Sequence, residues 1–200
     1  MDKICNPKNI RIGIMRLLPI KYKQPTDSGD ARCALYAMCN LFDDRVFLLF
    51  NNVGESTSHN TEVEILKKYA EISDNVNITG IRTIYPHAIT PNEIPLEYSE
   101  AFNICNDPGY YIPVLIDFAS AQSGVYHTVL CLWGEFDCIV IDSKKDFPET
   151  IGHMDIFRKA SIHGFRIFTG SEPDNDGEIQ VCALLPEQLP HIFDLNDTEK

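Results

Sequence analysis

The sequence predicts an α+β fold, with helices gathered in the first half of the chain and a mostly antiparallel sheet in the second. Three observations predict it. Apolar residues at helical spacing occupy 31–42 and 61–72. From residue 110 onward, short segments rich in β-branched and aromatic residues recur between turn signals. Two of those segments are joined by the tight-turn sequence "WGEF", which reads as a hairpin.

Taken in order, the chain opens on "MDKICNPKNIRIGIMRLLPI", with scattered positive charge and a short apolar stretch. Arg16 and Pro19 break that stretch, so it does not read as a signal peptide. The polar segment "QPTDSGDA" then gives way to Ala31, Ala34, Leu35, Met38, Leu41 and Phe42 at helical spacing, with Asp30 placed to cap the helix. "LFNNVGESTSHN" reads as a loop. "TEVEILKKYAEI" is a second amphipathic helix, with Thr61 and Glu64 spaced as a capping box. "EYSEAFNI" is a third, shorter one. The strands follow: "YYIPVLIDF", "VYHTVLCLW", "FDCIVID", "FRIFTG" and "IQVCALL", interrupted by a short helix around "MDIFRKA". One domain over 1–200 accommodates these elements. It divides into an extension over about 1–23, a mainly helical half over 24–112, a sheet half over 113–186 and an acidic tail over 187–200.

Composition narrows the function. Hydrophobic residues make up 44% and charged residues 23%, a profile able to fill a core. The net charge of −12, from 17 basic and 29 acidic residues, argues against nucleic-acid or anionic-membrane partners, which need clustered Lys and Arg. No apolar run approaches the roughly 20 residues of a membrane helix. The seven cysteines lie at 5, 33, 39, 105, 131, 138 and 182, with no CxxC pair. Free thiols in a reducing, cytoplasmic setting are therefore expected, and no metal site is.

Cys33 carries the chemical signal. In the first turn of a helix, unpaired N–H groups and the helix dipole favour a thiolate, the reactive form of cysteine. Its own N–H would point outward, where it could hold an oxyanion. A buried, inert thiol is the competing reading, because free cysteine is among the most buried residue types. Cys39, about 240° further round the helix, reads as core.

A nucleophilic cysteine needs a base, and the base needs an orienting group. If Gly134-Glu135 form the two central residues of a type II′ turn, Trp133 meets Phe136. Stepping outward, Cys131 meets Cys138 and His127 meets Asp142. Opposed side chains have Cβ atoms about 4.5–5.5 Å apart, so His127 and Asp142 become cross-strand neighbours on one face. Val129, Cys131 and Val140 make that face apolar, and Thr128, Leu130, Leu132, Ile139 and Ile141 make the other largely so. An unpaired charge there would be costly. Cys131 and Cys138 read as reduced core thiols rather than a disulfide. His59 and His87 lie in loop-like contexts, and His153, His163 and His191 lack a carboxylate at hairpin spacing.

Cys33, then His127, then Asp142, in that order, resembles the papain-like cysteine peptidase superfamily. There the nucleophile opens a long helix in a helical half, and the His and its Asp or Asn partner lie on neighbouring strands of an antiparallel sheet. Gln24, nine residues before Cys33, resembles the oxyanion-hole glutamine, and Asp30 in "DARC" resembles the Asp-x-x-Cys of ovarian-tumour-type deubiquitinases. "HTVLCLW…CIVIDS" is similar to the His and Asp strands of compact branches, which include viral leader peptidases and bacterial effector cysteine proteases and deamidases. The resemblance implies a papain-like fold and a covalent thiol hydrolase without cofactor. Cys33, His127 and Asp142 would form its triad, and a protein or peptide its substrate. It also implies a cytoplasmic location or delivery into a host cell. The same triad serves a glutamine or asparagine deamidase or an amine transferase. A non-catalytic binding module on the same fold is the third reading.

Overall fold

The computed structural model describes residues 15–25, 31–50, 58–73, 78, 80–84, 109–119, 126–159, 162–170 and 182–195. The first part supplies β1 (Arg16–Leu17), α1 (Cys33–Leu41), α2 (Arg45–Leu48), α3 (His59–Ile72) and β2 (Gly80–Ile84). The second supplies β3 (Ile112–Ala119), β4 (Tyr126–Trp133), β5 (Asp137–Ile141), β6 (Glu149–Gly152), α4 (His153–Lys159), β7 (Ile162–Thr169) and β8 (Phe193–Asp194). The fold is α+β. Its main sheet has six strands in the order β2-β7-β3-β4-β5-β6, and every neighbouring pair is antiparallel.

Strand alternation divides the core into two layers on opposite sides of this sheet. Leu115, Leu130, Leu132, Ile139, Ile141 and Phe168 pack against α1, α2 and α3. Val114, Ile116, Val129, Cys131, Trp133, Cys138, Phe165 and Ile167 pack against Ile156 and Phe157 of α4. The sheet is thus covered on both faces, which is why β3 and β4 are near-continuous apolar runs rather than alternating ones.

Helix α1 is buried on every side, not amphipathic as its spacing suggests. The segment before it explains the difference. Asn40 accepts a hydrogen bond from the Tyr22 N–H (3.0 Å) and donates to the Tyr22 carbonyl (2.9 Å), so residues 20–24 lie over the helix. This buried amide is satisfied by backbone, as a polar group in a core must be.

Several local expectations are corrected. The residue that caps α1 is Arg32, without a side-chain hydrogen bond, and Asp30 lies outside the described residues. Helix α3 starts two residues before Thr61. Its cap is Ser58, whose Oγ accepts from the Thr61 N–H, so Thr61 is a recipient rather than the cap. His59 opens that helix instead of lying in a loop. "IQVCALL" forms no strand at 182–185, only a single bridge in which Leu184 and Tyr111 exchange N–H···O bonds at 2.8 Å, and Pro186 then turns the chain into a short 3-10 helix. The supposed extension and tail meet: β1 pairs with β8, and Ile20, Leu189, Ile192 and Phe193 are buried in one core. "EYSEAFNI" and the loop "SEPDNDGE" fall outside the described residues.

Candidate functional site

The hairpin that carries His127 and Asp142 does not have the register expected of it. Trp133 pairs with Cys138 and Leu130 with Ile141. The chain reverses over Glu135 and Phe136, with the Gly134 N–H donating to the Asp137 carbonyl at 2.9 Å. Gly134 is therefore not a turn centre. A Cβ there would stand 3.0 Å from the Tyr111 ring and 3.2 Å from the Asp137 carbonyl, so close approach, not turn geometry, requires glycine. His153 fixes this turn from outside: its Nε2–H donates to the carbonyls of Gly134 (3.0 Å) and Asp137 (3.2 Å) while the ring stacks on Trp133.

Moving the turn by one residue shifts the pairing by two. Cys131 now opposes Val140 instead of Cys138, and both thiols are free and buried. His127 and Asp142 become diagonal neighbours just past the last paired residues. An even shift keeps both on one face, because side chains alternate with period two. The ring of His127 is long enough to cover the diagonal. Its Nε2 lies 2.7 Å from Asp142 Oδ1. A carboxylate only accepts, so Nε2 carries the proton and Nδ1 is the nitrogen left to face a nucleophile. Asp142 is itself fixed by a local turn, in which Oδ1 accepts from the Lys144 N–H at 3.0 Å.

Cys33, ninety-four residues before His127 in the chain, reaches the same point from the other direction. Its helix packs against β4, and its sulfur is bracketed by the backbone on either side of His127. The Thr128 N–H donates to Sγ at 3.3 Å, and the thiol reaches the Tyr126 carbonyl at 3.9 Å. As the first residue of α1, Cys33 also sits where backbone N–H groups have no partner one turn back.

Charge follows geometry. Burial pushes the Cys33 thiol up, but hydrogen bonds to His127 and Thr128 outweigh it and hold the thiol below its ordinary 9.0. Burial likewise opposes charge on His127, yet Asp142 and Cys33 raise it to about 9. Asp142 is held below its usual range, its desolvation overcome by His127 and the Lys144 N–H. These directions favour a thiolate beside an imidazolium. The contrast with the other thiols is sharp: burial alone pushes Cys182 up to about 12, and Cys39 and Cys138 are driven well above the ordinary thiol range.

Gln24 is brought to the same end of the sheet. Its N–H donates to the Ser143 carbonyl at 2.9 Å, and its buried side-chain oxygen accepts from Ser143 Oγ at 3.4 Å. The residue after Asp142 thus holds Gln24. Sequence reasoning missed Asn40, Thr128 and Ser143. The adjacency of Thr128 to His127 and of Ser143 to Asp142 was the available signal. Among the described residues, no three His, Cys, Asp or Glu side chains group as a metal site, and no helix is long and apolar enough to cross a membrane.

Compared with known proteins, the chain matches no family model, no curated protein and no solved structure.

Proposed function

We propose that this protein is a cysteine-dependent hydrolase of papain-like type, acting on a protein or peptide substrate. The observation that carries the reading is the thiol of Cys33 hydrogen-bonded to His127 and to the Thr128 N–H, with His127 held at 2.7 Å by Asp142. A helix-opening cysteine, with its His on one strand and its Asp just after the neighbouring one, also supports a papain-like arrangement.

In this reading the Cys33 thiolate attacks the substrate carbonyl carbon. The oxyanion that forms is held by the Cys33 N–H and by the Gln24 amide. The imidazolium of His127 gives its proton to the departing amine, the C–N bond breaks, and a thiol ester remains on Cys33. His127, now neutral, takes a proton from water as the hydroxyl attacks the thiol ester. Collapse releases the carboxylic acid and restores the thiolate–imidazolium pair. Asp142 keeps the imidazole in the tautomer that serves both steps.

The test is a proteome-derived peptide library incubated with wild type and Cys33→Ala, followed by mass spectrometry. New fragments made only by the wild type are expected. Peptides gaining about one dalton at Gln or Asn, without cleavage, would reassign the same triad to a side-chain amidase. A library unchanged by a wild type whose Cys33 is also inert to electrophiles would overturn the hydrolase reading in favour of a binding module.

A further inference from the structure

Beneath the nucleophile lies a buried ionic network that the reaction above does not use. Arg166 of β7 donates through Nη1 to Glu62 Oε2 of α3. Its Nη2 donates to Asp117 Oδ1 of β3 at 2.6 Å and to Thr128 Oγ1 of β4 at 3.1 Å. Thr128 Oγ1 donates in turn to Asp117 Oδ1 at 2.6 Å. Two neighbouring strands, β3 and β7, thus hold one threonine of β4, with Glu62 of α3 behind Arg166, and that threonine's N–H is the group bonded to Cys33 Sγ.

Stability is a poor explanation for this arrangement. Glu62 is 1% exposed, Arg166 7% and Thr128 5%. Desolvating such charges typically costs as much as their attraction returns. The network is also incomplete: Arg166 Nε is buried with no hydrogen-bond partner among the described residues. A partly satisfied buried network is weaker than an apolar core of the same shape. What it does provide is position. A threonine hydroxyl held by a carboxylate and a guanidinium cannot change rotamer, and β4 is pinned at the residue next to His127.

We propose that Thr128 is a further catalytic residue, holding the Cys33 sulfur through its N–H, and that Asp117, Arg166 and Glu62 are positioning residues acting through it. The proposal rests on Cys33 being the nucleophile, but it is separable from that reading. The Thr128 interactions also contribute to holding the thiol below its ordinary value, after burial and His127.

The experiment measures the pH profile of Cys33 alkylation by limiting iodoacetamide, resolved by site, in wild type, Thr128→Val, Thr128→Ser, Asp117→Asn and His127→Ala. Valine keeps the β-branched shape of threonine, so the strand is retained, and circular dichroism checks the fold of each variant. Thr128→Val keeps the N–H on Sγ but removes the hydroxyl that anchors it, so it should slow Cys33 labelling at pH 6.5 about 5–10-fold, the range of one ordinary hydrogen bond. It should also move the labelling midpoint upward. Thr128→Ser, which keeps the hydroxyl, should restore most of the rate. Asp117→Asn, which keeps an acceptor but weakens the grip, should fall between. A Thr128→Val profile that overlays wild type, while His127→Ala abolishes the advantage of Cys33, would overturn this proposal and leave the nucleophile intact. If Cys33 has no advantage even in wild type, the hydrolase reading fails first and this proposal falls with it. If Thr128→Val does not fold, Asp117→Asn decides: a wild-type profile there overturns the proposal.

Discussion

Removing the imidazole of His127 is the perturbation that bears most directly on the site. In the folded protein His127 titrates near 9 rather than 6.5. At ~1.4 kcal/mol per pH unit, that difference is worth about 3 kcal/mol. Asp142 and Cys33 share it, with the Asp142 hydrogen bond first among the raising contacts. The part belonging to Cys33 is what holds its thiolate against burial. If it is even half of the total, about 1.5 kcal/mol, His127→Ala lowers the thiolate population at pH 6.5 by about tenfold. The assay is competitive alkylation with isotopically distinct iodoacetamides between pH 5 and 10, quantified for each cysteine. In wild type, Cys33 labels first, and at a pH where Cys39, Cys138 and Cys182 are silent. In His127→Ala its rate at pH 6.5 drops at least tenfold and its midpoint rises, because burial is then opposed by Thr128 alone. Identical profiles for the two proteins, both folded, would refute the argument, since the sulfur would then draw nothing from the ring.

Three further outcomes are expected. Asp142→Asn keeps an acceptor for Nε2–H but removes the charge; the His127 titration followed by NMR should move down from about 9 toward 6.5, and Cys33 labelling should fall less than in His127→Ala. Gln24→Ala should leave Cys33 alkylation unchanged while lowering substrate turnover about 100-fold, because an oxyanion donor acts only once a tetrahedral species exists; a parallel loss of both would mean that Gln24 supports structure instead. Asp43, whose carboxylate is bonded by Arg45 and Tyr69, is depressed to about 2. Its folded value lies below its unfolded value, so its contribution is full above about 4 and is lost as pH falls toward 2. Asp43→Asn should destabilise by about 1 kcal/mol in urea melts at pH 7, after allowing for partial exposure, and by nearly nothing at pH 2.

The face on which His127 and Asp142 meet was legible because it depends only on alternation. Counting from a turn placed one residue early still put both on the same side of the hairpin. The register itself was not legible. Gly134 in "WGEF" has the local signature of a turn glycine, but its conformation is set by the Tyr111 ring, which belongs to the strand before. The burial of α1 was hidden for a similar reason. Its polar Asn40 looks like a solvent face until Tyr22 is laid across it. Ser58, as a polar residue ahead of an apolar run, carried the true cap signal of α3, and Thr61 three residues on gave a competing one.

By itself the sequence determined the α+β class, the order of most elements, the two-faced burial of the hairpin and the three residues to examine. All of these follow from periodicity and residue type within about twenty positions, where chain geometry allows few alternatives. Only the tertiary structure decided that α1 docks its first turn against β4, that residues 20–24 cover that helix and bring Gln24 to Ser143, and that Asp117 and Arg166, the latter backed by Glu62, meet at Thr128. Those contacts join residues as much as 119 positions apart. Nothing local encodes them, because they are fixed by which surfaces can be buried together without leaving charge or backbone unpaired.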